Sequence, residues 1–270
     1  MKNLISYFLT LIIFINISFS QVSDTTQTEE DNIKNFNTAF QAGESLNYEV
    51  SYGLINGGQA KMTVDIVQFG VDWYYHVKAI ATTEGLAAKM FTIWDKYESF
   101  IDIKTGLPIK ATRDIRENQY RKYGELLFDR KNNKVLSLES GATDVPAGIQ
   151  DILSAFYFAR RYIFKRELKK GEIINLTTFF DDEIFPIKIK FVKKEKYDSN
   201  FGKIECLRFS PVIEPGSPFK EEKDMQVWFT NDGNFVPVRI KIKVPVGSIK
   251  CDLTDYKGLR NEFGKTIVVE

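Results

Sequence analysis

The feature that most constrains the fold is an alternation of apolar and polar side chains, with a period of two, that returns many times along the chain. It is plainest near the C-terminus, where Val236, Val238, Ile240, Ile242 and Val244 are set against Arg239, Lys241 and Lys243. Successive side chains of a strand point to opposite faces, so this period makes one face apolar and the other wet. Ala60, Met62, Val64 and Ile66 against Lys61, Thr63 and Asp65 show the same pattern. Turn residues separate the runs, among them Asn56-Gly57-Gly58, Gly70, Thr105-Gly106 and Asn231-Asp232-Gly233.

Read this way, the chain predicts strands over 45–54, 60–66, 73–81, 93–103, 108–116, 120–128 and 135–139. They resume over 173–180, 184–193, 203–209, 225–230, 236–244 and 248–256. A short helical or irregular excursion is expected at 84–91. The 22 Phe and 12 Tyr agree with a strand-rich chain, because aromatic side chains suit a pleated, half-buried surface. One segment departs from the pattern: apolar residues at 149, 152, 153, 156, 157, 163 and 164 have helical spacing. Pro146 ahead of it, the basic run Arg160, Arg161, Lys165, Arg166, Lys169 and Lys170 towards its end, and Gly171 beyond it bound a helix over 147–168. About a dozen antiparallel strands do not stay flat. The expected fold is therefore mainly β, a large curved antiparallel sheet or barrel-like meander with one substantial helix packed on or in it.

The N-terminus sets the compartment. Met1-Lys2 is followed by an apolar run from Leu4 to Phe19, and Ser18 and Ser20 put small side chains two positions apart ahead of Gln21. This is the form of a cleavable export signal, with cleavage expected after Ser20. The alternative is an uncleaved anchor, although the run falls slightly short of the ~20 residues that span a bilayer. The organisation expected is a signal peptide over 1–20, a flexible leader over 21–38, a single β-rich domain over 39–260 and a tail over 261–270. The mature chain is expected in the periplasm or secreted, with no integral membrane segment. Its 37 basic and 36 acidic residues nearly cancel, so no global field draws in nucleic acid or an anionic membrane.

Two cysteines remain, Cys206 and Cys251. An oxidising compartment allows a disulfide between them, and two separate buried thiols fit equally well. Cys251 falls on the apolar side of its alternation. Around Cys206 the phase is ambiguous, since Ile204 and Cys206 alternate against Leu207 and Phe209.

Several strings resemble a known group of bacterial exported proteins, domain-of-unknown-function family 3108. They are Phe40-Gln41-Ala42-Gly43-Glu44-Ser45-Leu46-Asn47-Tyr48, Gly53-Leu54-Ile55-Asn56-Gly57-Gly58-Gln59-Ala60, Ile101-Asp102 through Thr105-Gly106-Leu107-Pro108, and Asp151-Ile152-Leu153-Ser154-Ala155-Phe156-Tyr157-Phe158-Ala159-Arg160. Val227-Trp228-Phe229-Thr230-Asn231-Asp232-Gly233, Val236-Pro237-Val238 and Gly247-Ser248-Ile249 close the series. The resemblance implies an exported protein and supplies no catalytic residues.

The chemistry legible in the chain is sparse. His76 is the one histidine, in Trp73-Tyr74-Tyr75-His76-Val77, which excludes a multi-histidine metal site. Asp181-Asp182-Glu183 offers adjacent carboxylates to a calcium ion, although loop acids are commonly just solvated. A glycosidase pair could be assembled from Glu44, Asp95, Glu98 or Asp114, but nothing fixes their separation. No phosphate-binding glycine motif occurs, and no cofactor or metal is expected. The aromatic surplus points instead to an apolar groove beside the helix. Phe156 and Tyr157 with Trp94 and Trp228 are candidates to line it, and Asp151, Ser154 and Arg160 to orient a polar head group. The leading expectation is a non-catalytic periplasmic binding or carrier protein for an apolar or amphipathic ligand. The alternatives are a cell-envelope enzyme acting on glycan or lipid, or an assembly partner; the partners expected are a lipid, an amphiphile or an envelope protein.

Overall fold

A computed structural model of the protein describes residues 37–53, 55–163, 167–212 and 221–266. The expected signal peptide and most of the leader lie outside the described residues. Eight strands come first: β1 (Ser45–Tyr52), β2 (Ile55–Phe69), β3 (Asp72–Thr83), β4 (Ile93–Asp102), β5 (Pro108–Glu117), β6 (Tyr120–Asp129), β7 (Lys134–Ser137) and β8 (Gly141–Asp144), with helix α1 (Gly85–Met90) between β3 and β4. Helix α2 (Ile152–Tyr162) follows, and then β9 (Ile173–Phe180), β10 (Glu183–Ser199), β11 (Gly202–Pro211), β12 (Met225–Thr230), β13 (Pro237–Lys243) and β14 (Ser248–Lys257).

All fourteen strands form one antiparallel sheet in the order β8-β7-β6-β5-β4-β3-β2-β1-β14-β13-β12-β11-β10-β9. Each half is a meander of hairpins, and the halves join where β1 pairs with β14, Val50 opposite Cys251. The sheet is mainly β and barrel-like, as expected, but it is not closed: β8 and β9 are its two edges.

The sheet curls around α2. Leu153 and Tyr157 meet Val64, Tyr75, Val77 and Ile101 from β2–β4, while Ala159 meets Phe191, Leu207, Phe209 and Phe229 from β10–β12. Phe40 and Tyr157 are each 1% exposed, their rings edge to face at 4.8 Å. Burying a large apolar side chain is worth about 1.5–3 kcal/mol, so the helix acts as the filling that both halves share.

The helix is shorter than its apolar spacing predicts. Ile149 is buried, but the backbone at Gln150 is extended and forms a parallel bridge to Thr178 of β9. Its N–H donates to the Thr177 carbonyl at 3.0 Å and its carbonyl accepts from Phe179 N–H at 2.7 Å. Helix begins only after Asp151, whose carboxylate accepts from the backbone N–H groups of Leu153 (2.9 Å) and Ser154 (3.0 Å). The Ser154 hydroxyl accepts from Asp151 N–H in return at 2.9 Å, a capping box that fixes the first turn. Residues 164–166 of the expected helix lie outside the described residues, and 167–169 are not helical. The strand expected over 184–193 extends to Ser199, where Lys193 and Lys194 find Glu195 (2.7 Å) and Glu205 (2.9 Å). The described residues after β14 are held to the fold: Asn261 donates to the Thr38 carbonyl at 2.8 Å, and Phe263 stacks on Tyr256 at 4.4 Å.

Candidate functional site

The residues singled out around the helix fall into separate places. Asp151 and Ser154 form the cap, and Ser99 Oγ donates to Asp151 Oδ2 at 2.7 Å. Burial holds the Asp151 carboxyl above its usual range against these hydrogen bonds. Arg160 lies at the centre of the interior, its guanidinium bidentate on Glu44 at 2.5 and 2.8 Å, with Nε donating to the Asn234 carbonyl at 2.9 Å. Phe156 packs between Tyr157 and Phe229 at 5.2 and 6.3 Å. Trp94 is half-buried, with Arg116 over its ring at 4.4 Å, and Trp228 donates to Glu195 at 3.0 Å beside Tyr197. Phe156, Tyr157 and Arg160 thus meet in the packed interior, the guanidinium 5.8 and 5.0 Å from the two rings, but the seven together do not line one groove.

Cys206 and Cys251 are both buried free thiols. Of the two readings open in the sequence the structure takes the unbonded one, and burial pushes each thiol up to about 12. The ambiguous phase at Cys206 has a cause: Leu207 and Phe209 pack in the cluster around α2, while Cys206 joins Trp228, Val236 and Val238 in another, so both faces of β11 are covered.

The acids are partnered as well. Glu98 meets Lys96 at 2.7 Å and His76 at 3.1 Å, the His76 ring stacks on Phe100 at 4.3 Å, and Asp114 meets Arg116. Asp95 (1% exposed) lies inside with Glu117 (4% exposed) near it, and accepts from Arg116 N–H at 3.0 Å. Burial, reinforced by the second carboxyl, pushes Asp95 up to about 7. Asp232 organises the β12–β13 turn, accepting from Thr230 Oγ1 (2.7 Å) and from Asn234 and Gly264 N–H (2.8 and 2.7 Å). Among the described residues no group of His, Cys, Asp and Glu could hold a metal ion.

Polar and apolar groups do come together at the seam between the two edges of the sheet. Asp181 and Asp182 form the two-residue loop of the β9–β10 hairpin, with φ of 51° and 65°. Left-handed conformation at both central residues is that of a type I′ turn, here without glycine. The turn carries Asp181 across the seam to β5 and β6, where it accepts from Arg113 Nη2 at 2.5 Å and Lys122 Nζ at 2.8 Å. Burial pushes its carboxyl up, but the two cations outweigh that and leave it below the usual carboxylate range. Ser140, in the turn between β7 and β8, donates to Asp182 at 2.9 Å. The Arg113 guanidinium lies 5.0 Å over the Phe180 ring. Behind this latch is a cavity of about 50 Å³, walled by Tyr97, Ala111, Leu126, Leu153, Phe179 and Phe180, with Asp151 at its edge. Such a volume takes a few waters and no acyl chain.

At this seam Asp181 and Asp182 are legible in the sequence as calcium candidates and Asp151 as a head-group ligand, but neither Arg113 nor Lys122 is. Their partner lies 68 and 59 residues away, and no spacing rule connects β5 and β6 to the β9–β10 turn.

Among solved structures the chain is similar to a beta-barrel-like protein of domain of unknown function DUF1849 from Brucella abortus, with a TM-score of 0.51 and 10% identity over 82% of this chain and 99% of that one. A DUF1089 family protein from Pseudomonas aeruginosa matches with a TM-score of 0.39 and 10% identity over 69% of this chain and 90% of that one. No curated protein matches the sequence. A family model described as protein of unknown function, DUF3108, matches residues 47–254, and the chain belongs to that family.

Proposed function

We propose that the chain is an exported, non-catalytic binding protein that takes an anionic amphiphile, a lipid or a relative of one, at the seam between β8 and β9. One arrangement carries the reading: Arg113 and Lys122 converge at the mouth of a cavity walled by Phe179, Phe180, Leu126 and Leu153. Asp181 occupies the place a carboxylate or phosphate head group would take, with charge-assisted bonds from both cations. The interior is filled by Tyr157, Arg160 and Phe40, so a bound chain belongs at the seam. Its admission requires the β9–β10 hairpin to swing outward. The edges make such a movement cheap in hydrogen bonds, because β8 and β9 share no ladder and the seam is closed by side chains and the bridge at Gln150. The N-terminal signal pattern and the family resemblance support export.

The test is binding of a long-chain fatty acid and of a fluorescent anionic amphiphile to the wild-type, Arg113→Ala and Asp181→Asn proteins. Arg113→Ala is expected to weaken binding by roughly tenfold or more, the value of a charge-assisted hydrogen bond. Asp181→Asn is expected to strengthen it by removing the carboxylate that engages both cations, although Glu139, 3.2 Å from Lys122, stays in place. Equal affinities in all three proteins would sink the reading.

A further inference from the structure

The end of the barrel that carries α1 has a different chemistry from the seam. Leu86 and Met90 of α1 are 70% and 82% exposed, Val246 in the β13–β14 turn is 75% exposed, and Ile55 at the start of β2 is 57% exposed. They lie on adjoining loops. Tyr52 pairs with Ile55 across the β1–β2 turn, and its hydroxyl donates to the Val246 carbonyl. Gly53 N–H donates to the Ser248 carbonyl at 3.1 Å, and Glu84 N–H, just ahead of α1, donates to the Gly57 carbonyl at 3.1 Å. Helix α1 buries none of its own residues, so folding gives no reason for Leu86 and Met90 to be apolar. Scattered single apolar residues need no explanation, but several on neighbouring loops at one end do.

Lysines stand behind these tips. Lys89 is exposed on α1; Lys241 and Lys250 face each other across β13 and β14, and Lys250 pairs with Ser51, the residue before Tyr52. None of the three has an ion pair among the described residues, while Lys243 beside them is 3.7 Å from Asp224. Glu84 is also at this end, and its carboxylate accepts from Gln59 Nε2 at 3.0 Å. Three lysines without an ion pair among the described residues therefore stand at this end, beside the acids Glu84 and Asp224.

We infer that this end seats on an anionic lipid surface, with Ile55, Leu86, Met90 and Val246 entering the head-group boundary and Lys89, Lys241 and Lys250 meeting the lipid phosphates. The tips sit on three separate elements, α1, the start of β2 and the β13–β14 turn, so they suit a yielding lipid interface better than a shaped protein partner. Aliphatic tips with lysines at their base are the composition that interfacial binding rewards, apolar burial plus attraction to anionic lipid. The site is separate from the seam, and neither reading depends on the other.

The test is flotation of the purified protein with phosphatidylcholine vesicles, with and without phosphatidylglycerol. Wild type is expected to float with the anionic vesicles and to be released by salt. Leu86→Ser with Met90→Ser is expected to reduce partitioning at least tenfold. Lys241→Glu with Lys250→Glu is expected to reduce it on anionic vesicles by a similar factor, at roughly fivefold per lysine. Leu86, Met90 and Lys241 are exposed and Lys250 is half-buried, so unchanged melting temperatures check that the variants fold. A Met90→Trp protein adds a direct readout, a blue shift of its new emission when anionic vesicles are added. Failure of wild type to float, or equal flotation of wild type and both double variants, overturns the inference, as does a Met90→Trp emission indifferent to vesicles.

Discussion

Arg160 and Glu44, 116 residues apart in the chain, form a bidentate ion pair in which neither side chain is exposed to solvent. The pair ties three pieces together: the entry into β1, helix α2, and through Asn234 the β12–β13 turn. Because both charges are out of water, removing either leaves the other uncompensated.

Glu44→Gln or Arg160→Met is accordingly expected to cost about 3–5 kcal/mol in urea unfolding. The double replacement Glu44→Leu with Arg160→Met is expected to cost less than either single change, since it leaves no lone charge. A double variant as unstable as the sum of the two would contradict this account.

Asp95 gives a pH dependence of definite sign. Its carboxyl is at about 7 in the folded protein, above the unfolded value near 4, so the folded state binds the extra proton between those limits. The contribution of Asp95 is most favourable below about pH 4, declines as pH rises through 7, and is flat above. Asp95→Asn keeps an acceptor for Arg116 N–H and is expected to flatten that slope in urea unfolding measured across the window. A slope unchanged in the variant would place the titration elsewhere.

Gly106 has φ of 73°, and a Cβ built on it would fall 1.6 Å from Arg161 Nη1. Arg161 is 3% exposed and has little room to withdraw. Gly106→Ala is therefore expected to destabilise by more than the roughly 1–2 kcal/mol that left-handed backbone alone costs an alanine. A loss within that range would mean that Arg161 moves freely.

The thiols make a chemical prediction. With both pushed up to about 12 by burial, Cys206 and Cys251 are expected to resist iodoacetamide in the native protein and to react fully after unfolding, as read by intact mass. Native labelling at either position would show that its cover opens.

Strand ranges were legible where turn residues bound a β-prone run: β9 (Ile173–Phe180), just after Gly171, and β12 (Met225–Thr230), just ahead of Asn231-Asp232-Gly233, coincide with the ranges read from the sequence. Strand β8 was missed because Gly141-Ala142-Thr143-Asp144 is an exposed edge with no apolar face to alternate. The early helix start was misread because Ile149 is buried for a reason that lies in β9, the bridge at Gln150, and not in its own turn. The candidate site was less legible still. Arg160 reads as a head-group ligand until its partner Glu44 is known, and Arg113 and Lys122 read as ordinary surface cations until the β9–β10 turn is brought across to them.

The pairing of β1 with β14 has a consequence for how the chain comes to be folded. Every other neighbour in the sheet is a neighbour in sequence, so this one ladder holds nearly all of the distant pairing. A chain emerging from its N-terminus must keep β1 without its second partner until β14 arrives. Contacts between remote segments slow folding, and unpaired edges invite aggregation in the meantime. Yet the two ends of the fold lie side by side, Asn261 bonded to Thr38. A circular permutant that joins them by a short linker and opens the chain between β8 and α2 would convert the sheet into one uninterrupted succession of hairpins, β9 to β14 and then β1 to β8, and should refold faster than the natural order while keeping the same native sheet.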